Sequence, residues 1–151
     1  MFRLLYVSAV SPSAGAHLPS VVEDILISSV CNNRRDDITG FLLCDGFNFV
    51  QALEGRQDKV EACFARICAD SRNLTPTLRD IEFAGERVFA RWSMCGLTLS
   101  RRDDALLGAP DIDFDLTAVQ PGALWQYLSS LAQRHGGELD LEHERLLRLA
   151  G

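Results

Sequence analysis

Apolar residues recur along the chain with two periods. Leu4, Leu5, Tyr6 and Val7 form a short run closed by Ser11-Pro12-Ser13-Ala14-Gly15, which predicts a buried strand over residues 3–9 and then a loop. Leu18, Val21, Val22, Ile25, Leu26 and Ser29 follow at helical intervals. Ser20 stands three residues before Glu23, the spacing of a capping box, so a helix is expected after Pro19, fraying near Asn32-Asn33. Residues 40–44 and 48–53, parted by the turn signal Asp45-Gly46, predict a hairpin. A period of two places Phe47, Phe49, Gln51 and Leu53 on one face of its second strand and Asn48, Val50, Ala52 and Glu54 on the other. Gln51 is thus the polar member of an apolar stripe. A second helix fits residues 57–70, with Val60, Cys63, Phe64, Ile67 and Cys68 on its apolar face and Asp58 and Glu61 near its positive N-terminal end. Two further strands are expected over 77–83 and 92–99, the latter setting Trp92, Met94, Gly96 and Thr98 on one face.

The resulting order, β-α-β-β-α-β plus one strand, predicts an α+β fold: a ferredoxin-like sheet with two helices on one face. After residue 100 the pattern changes. Arg101-Arg102-Asp103-Asp104 and Gly108-Ala109-Pro110-Asp111 read as linker. Leu124, Trp125, Leu128 and Leu131 then predict a helix over 118–134, and a second is expected over 139–149 beyond Gly136-Gly137. Residues 1–100 are therefore expected to form the sheet domain, and 101–151 a linker with a two-helix extension. The apolar stripe of that extension either covers the open sheet face as a cap or pairs with another subunit.

Composition narrows the function classes. The 151 residues carry a net charge of −6 with 47% hydrophobic positions, enough for one folded domain with its own core. Nonspecific nucleic-acid affinity rests on clustered positive charge, and no such cluster exists here. No run approaches the ~20 apolar residues of a membrane span, and the start is too short for a signal-peptide core, which sets the expectation of a cytoplasmic protein. Cys31, Cys44, Cys63, Cys68 and Cys95 fall in apolar stretches and read as reduced packing residues.

Familiar catalytic signatures are missing: there is no dinucleotide or phosphate glycine loop, no Gly-x-Ser-x-Gly elbow, and no Cys pair with the spacing of a zinc knuckle. What remains is a set of polar and polarisable residues on core elements: Tyr6, Asn32, Asn33, Gln51, Arg66, Asp70, Trp92 and Met94. A carboxamide both donates and accepts, so buried Asn and Gln side chains suit a flat heteroaromatic ring that displays carbonyl and N–H groups along one edge. Taken singly, the two Asn residues could equally end a helix, Gln51 bond a neighbouring strand, and Tyr6 fill the core.

Together these residues resemble a known family. Arg3-Leu4-Leu5-Tyr6-Val7-Ser8, Asn32-Asn33, Ile38-Thr39-Gly40-Phe41-Leu42-Leu43, Phe49-Val50-Gln51-Ala52-Leu53-Glu54-Gly55 and Trp92-Ser93-Met94 occur in the order and spacing of the BLUF domains, the sensors of blue light using FAD. The resemblance spans about residues 2–99. It implies noncovalent FAD between the two helices, with Asn32 and Asn33 on its polar edge, Ile25 and Ile67 sandwiching the ring, and Arg66 and Asp70 near its pyrimidine side and ribityl chain. No adenine-reading motif separates FAD from FMN, so FAD is assigned by the resemblance. The same likeness implies that Tyr6 gives an electron and a proton under light and that Gln51 rotates or tautomerises; the candidate relay is the last strand, where Trp92 and Met94 are expected two apart on one face and able to exchange places beside Gln51.

A photoreceptor of this kind performs no catalytic turnover. The fifty or so residues after position 100 are too few for a cyclase, a phosphodiesterase or a DNA-binding effector. The implied output is therefore a downstream signalling protein or self-association as a homo-oligomer, with no nucleic-acid or membrane partner, and Trp125 and Tyr127 mark where it would dock. Two alternatives share the sheet topology: a small acylphosphatase-like hydrolase, and a ligand-free interaction module.

Overall fold

In the computed structural model, which describes residues 1–98 and 117–151, the elements run β1 (Phe2–Val10), α1 (Pro12–Gly15), α2 (Leu18–Asp36), β2 (Thr39–Cys44), β3 (Asn48–Gly55), α3 (Gln57–Cys68), β4 (Asn73–Phe83), β5 (Gly96–Thr98), α4 (Pro121–Arg134) and α5 (Gly136–Leu149). The strands form one sheet in the order β4-β1-β3-β2-β5. β1 lies antiparallel between β3 and β4, and β2 is antiparallel to β3 but parallel to β5. This is the expected ferredoxin-like arrangement with one added strand.

Side-chain alternation along the central strands builds two apolar layers. Leu4, Tyr6, Leu42, Phe49 and Leu53 share one with Leu26 and Val30 of α2 and Val60 of α3. Leu5, Val7, Phe41, Leu43, Val50 and Ala52 face the other way, against Leu124, Leu128 and Leu131 of α4 and Leu139 of α5. Each of those fully buried leucines contributes about 1.5–3 kcal/mol, so α4 lies on the second sheet face as a cap. α5 bridges the two layers, with Leu139 in one and Leu146 in the other.

Several elements depart from the sequence pattern. The loop expected after β1 contains a helical turn: Ser11 Oγ accepts the Ala14 N–H at 3.2 Å, and Pro12 opens the turn. A Ser-Pro pair is itself a helix start, because proline's missing N–H is one the first turn leaves unpaired anyway. For the same reason Pro19 sits inside α2, which begins at Leu18; Ser20 is therefore within the first turn and caps nothing. α2 does not fray at Asn32-Asn33 but runs to Asp36 and closes on Asp37, whose φ of 53° is left-handed. α3 stops at Cys68, leaving Asp70 beyond the helix. β4 starts at Asn73 and β5 covers only Gly96–Thr98. The proposed boundary near residue 100, the two linker motifs and Leu99 lie outside the described residues. Cys44, Cys63 and Cys95 are buried as packing residues, whereas Cys31 and Cys68 are exposed; all five are free thiols.

Candidate functional site

β1 and β3 pair so that Tyr6 stands directly opposite Gln51, and β2 sets Leu42 on its other side. This row forms the floor of a cleft of about 280 Å³ between α2 and α3. Ile25, Asn32 and Asn33 of α2 and Cys63, Arg66 and Ile67 of α3 form its walls, with Asp70 and Arg72 also lining it. All seven residues expected to hold the ligand thus line one cavity.

The floor carries a connected chain of polar groups. Tyr6 Oη donates to Gln51 Oε1 at 2.5 Å, and Gln51 Nε2 donates to Met94 Sδ at 3.3 Å. Burial pushes the Tyr6 phenol well above its ordinary range, with further raising by Cys63 and Asp70, so the phenol keeps its proton. Phe64 packs on the Tyr6 ring with centroids 5.3 Å apart. Asn33, 1% exposed, donates through Nδ2 to the Ser93 carbonyl at 2.9 Å, while its Oδ1, among the described residues, meets only the Cys63 thiol at 3.8 Å. Burial raises that thiol above its ordinary range, so it is neutral. At the rim, Asp70 pairs with Arg72 at 2.5 Å, and this guanidinium holds its carboxyl below the usual carboxylate range. Arg66 faces Asp36 at 3.7 Å instead of Asp70.

Two nearly fully buried carboxamides with spare hydrogen-bonding capacity therefore meet in a cleft walled by two isoleucines. Gln51 Nε2 has a second proton, and Asn33 Oδ1 has only a weak sulfur donor. A planar ring with a polar edge fits this donor and acceptor set.

Trp92 does not share the site with Met94. The two residues lie in opposite apolar layers: Met94 beside Gln51, and Trp92 among Phe41, Phe89 and Leu124. The reason is a mismatch in strand advance. Gly40 N donates to Trp92 O and Leu42 N to Cys95 O, so β2 advances two residues while its partner advances three. The extra residue breaks the period-two reading of 92–99 and turns Trp92 through to the far face. Gly40 is the other requirement, since a Cβ there would stand 2.2 Å from Ala52 O and 2.9 Å from Met94 Cε.

Periodicity did not single out Glu54, which is fully buried and accepts the Val88 N–H at 2.6 Å, the Phe89 N–H at 2.8 Å and the Thr39 hydroxyl at 3.1 Å. It anchors the segment that leads to Met94. A charged residue closing an apolar strand was the available signal. Among the described residues no three His, Cys, Asp or Glu side chains gather as a metal site, and no helix is long and apolar enough to cross a membrane.

The fold and this cleft define an α+β domain with a buried Tyr-Gln-Met chain beneath a cavity. The family described as sensors of blue light using FAD matches residues 1–95, and the chain belongs to this BLUF family. Over 87 residues, 56% of this chain, it is 32% identical to the blue light- and temperature-regulated antirepressor BluF of Escherichia coli (strain K12), covering 22% of that protein. The chain thus spans about a fifth of that relative's length. The photo-activated state of BlsA superposes with a TM-score of 0.75 at 26% identity, covering 86% of this chain and 93% of BlsA. A bacterial light-regulated adenylyl cyclase superposes with a TM-score of 0.59 at 28% identity, covering 89% of this chain and 34% of the cyclase. Family membership separates the chain from the small hydrolases that share its sheet topology.

Proposed function

We propose that this chain is a blue-light receptor that binds FAD in the cleft between α2 and α3 and signals by re-orienting Gln51. The observation that carries the proposal is the buried sequence Tyr6–Gln51–Met94 beneath the cavity. Asn32, Asn33 and Gln51 would hold the polar edge of the flavin, Ile25 and Ile67 its faces, and Arg66 and Asp70 its pyrimidine side and ribityl chain. When bound, the flavin would supply a blue-light-driven oxidant.

Tyr6 is protonated and hydrogen-bonded, so it would yield its electron to that oxidant together with the proton held at Oη, for which Gln51 Oε1 is the nearest acceptor, and recombination would return both to the phenol. Gln51 then has two stable orientations. Turning its carboxamide over keeps a bond to Tyr6, because a phenol oxygen accepts as well as donates, but sets Oε1 against Met94 Sδ, which has no proton to give. The two states therefore differ at Met94, and a difference in contacts is what a switch needs to bias a larger element. We place the output in a partner protein that reads α4 and α5, in a cytoplasmic setting.

An absorption spectrum of the purified protein in the dark and directly after blue light tests this reading. A flavin spectrum that shifts slightly to the red and relaxes in darkness supports it, and mass analysis of the released cofactor distinguishes FAD from FMN. A protein that stays colourless after addition of FAD overturns it.

A further inference from the structure

Residues 91–95 divide their contacts between the cleft and α5. Met94 points at Gln51, and the other four bind the helix. Arg91 Nη1 reaches Asp140 Oδ2 at 2.8 Å, Trp92 Nε1 donates to Asp140 Oδ1 at 2.9 Å, and the Cys95 thiol meets the Leu139 carbonyl at 3.4 Å. Ser93 N donates to His143 Nε2 at 3.2 Å, and Ser93 Oγ lies 2.9 Å from the same nitrogen. Ser93 is also the partner of the cleft, because its carbonyl accepts from Asn33 Nδ2 at 2.9 Å. One residue thus ties a cleft carboxamide to a ring on α5.

The bond from the Ser93 N–H points to one state of that ring. A backbone N–H only donates, so His143 Nε2 must present a lone pair, and the imidazole is neutral with its proton on Nδ1. The charged groups around it compete. Partial burial and Arg34 of α2 disfavour the imidazolium, while Asp140 and Glu144 of α5 favour it, Asp140 being shared with Arg91. Burial and Arg34 prevail, and the ring titrates below its ordinary value of 6.5. A proton added at Nε2 would face the Ser93 N–H and break that bond, leaving Nε2 to donate to Ser93 Oγ, 2.9 Å away.

We infer that neutral His143 is a positioning residue of the light switch: by accepting the Ser93 N–H it fixes the Ser93 carbonyl and, through it, the Asn33 carboxamide in the cleft wall. Protonation of His143 moves its hold on Ser93 from the backbone N–H to the hydroxyl, which shifts the Ser93 carbonyl and lets the Asn33 carboxamide turn. The lifetime of the light-altered state then depends on pH through a residue that does not touch the ligand. The consequence for the photocycle rests on the proposed flavin site, but the His143–Ser93–Asn33 connection does not.

The test follows amide resonances of the full chain by NMR between pH 8 and pH 5, together with dark recovery after blue light. In the wild type, the Ser93 backbone amide and the Asn33 side-chain amide should titrate with the His143 ring at one midpoint below 6.5. Dark recovery should change by about fivefold or more across the same midpoint, the effect of roughly 1 kcal/mol in a barrier. In His143→Gln, whose Oε1 still accepts the Ser93 N–H but does not titrate, both responses should be flat. Ser93 and Asn33 resonances that ignore the His143 titration would overturn the inference, as would a His143→Gln variant that keeps the wild-type pH profile of recovery. Because the resonances are read whether or not flavin is bound, failure of the flavin reading and failure of this connection are separate results.

Discussion

Tyr6 and Gln51 occupy directly paired positions on β1 and β3, with Oη of the one 2.5 Å from Oε1 of the other. Because both side chains leave the sheet on the same face, backbone pairing alone brings them together, and no loop has to close to form the contact. Gln51 then stands between a strong neighbour and a weak one: a neutral phenol on one side and a thioether sulfur on the other. In the proposed mechanism this contrast makes the amide of Gln51 the part of the floor that re-orients.

Tyr6→Phe removes the proposed electron and proton donor but keeps the ring against Phe64. The variant should bind flavin and show no light-induced red shift, and it should be less stable by about 1–2 kcal/mol because Gln51 Oε1 loses its buried donor. Light-minus-dark spectroscopy and a denaturant titration measure the two effects. A normal red shift in this variant would remove Tyr6 from the donor role.

Gln51→Leu keeps the apolar stripe and deletes the group proposed to re-orient. Its light-minus-dark spectrum should be flat, and the Tyr6 hydroxyl, left without a partner, should cost about 1–3 kcal/mol. An unchanged difference spectrum would reject Gln51 as the switching residue.

Much of this arrangement is legible in the sequence. The alternation that makes Gln51 the polar member of an apolar stripe puts it on the Tyr6 face, and Ile25 and Ile67 fall on the inward sides of their helices by the 3.6 period alone. Trp92 and Met94 were not legible in the same way. Their separation depends on one extra residue between two hydrogen bonds to β2, and no hydrophobic period records such a bulge. The links to α5 were hidden for another reason: Asp140 and His143 lie about fifty positions from Trp92 and Ser93, and a single polar residue on a helix does not disclose its partner.

Gly40→Ala tests the close approach at the edge of the floor. The added methyl would meet Ala52 O at 2.2 Å and Met94 Cε at 2.9 Å, and the first of these atoms is backbone and cannot swing aside. Overpacking of this kind costs typically 1–3 kcal/mol, which a thermal melt would record. The displaced Met94 should also alter dark recovery, so a variant with wild-type stability and kinetics would show that the approach is looser than described.

Alkaline stability reports on the buried phenol. The folded state holds the Tyr6 proton above the ordinary value of 10.0, whereas the unfolded chain releases it near that pH, so the folded state binds more protons and stability falls as pH rises beyond about 10. Buried Cys44, Cys63 and Cys95 act in the same direction from lower pH, Cys95 being pushed up to about 12 by burial. Comparison with Tyr6→Phe isolates the tyrosine: the stability deficit of that variant at neutral pH should shrink above pH 10, and a constant deficit would mean the phenol is not held protonated.

Met94 and Trp92 should separate cleanly under mutation because they lie on opposite faces of the sheet. Met94→Leu preserves volume and should cost less than about 1.5 kcal/mol, yet it removes the acceptor of Gln51 Nε2. A weak bond worth about 1 kcal/mol, lost in one Gln51 orientation only, corresponds to about a fivefold change in dark recovery. Trp92→Phe, in contrast, should leave the red shift in place. It forfeits the 2.9 Å bond to Asp140 and packing against Phe89 and Phe41, so its effect should appear in stability and in the attachment of α5. Amide exchange of α5 measured beside recovery kinetics distinguishes the two. If Trp92→Phe abolished the red shift and Met94→Leu left recovery unchanged, the assignment of Met94 to the floor and Trp92 to the far layer would be reversed in function.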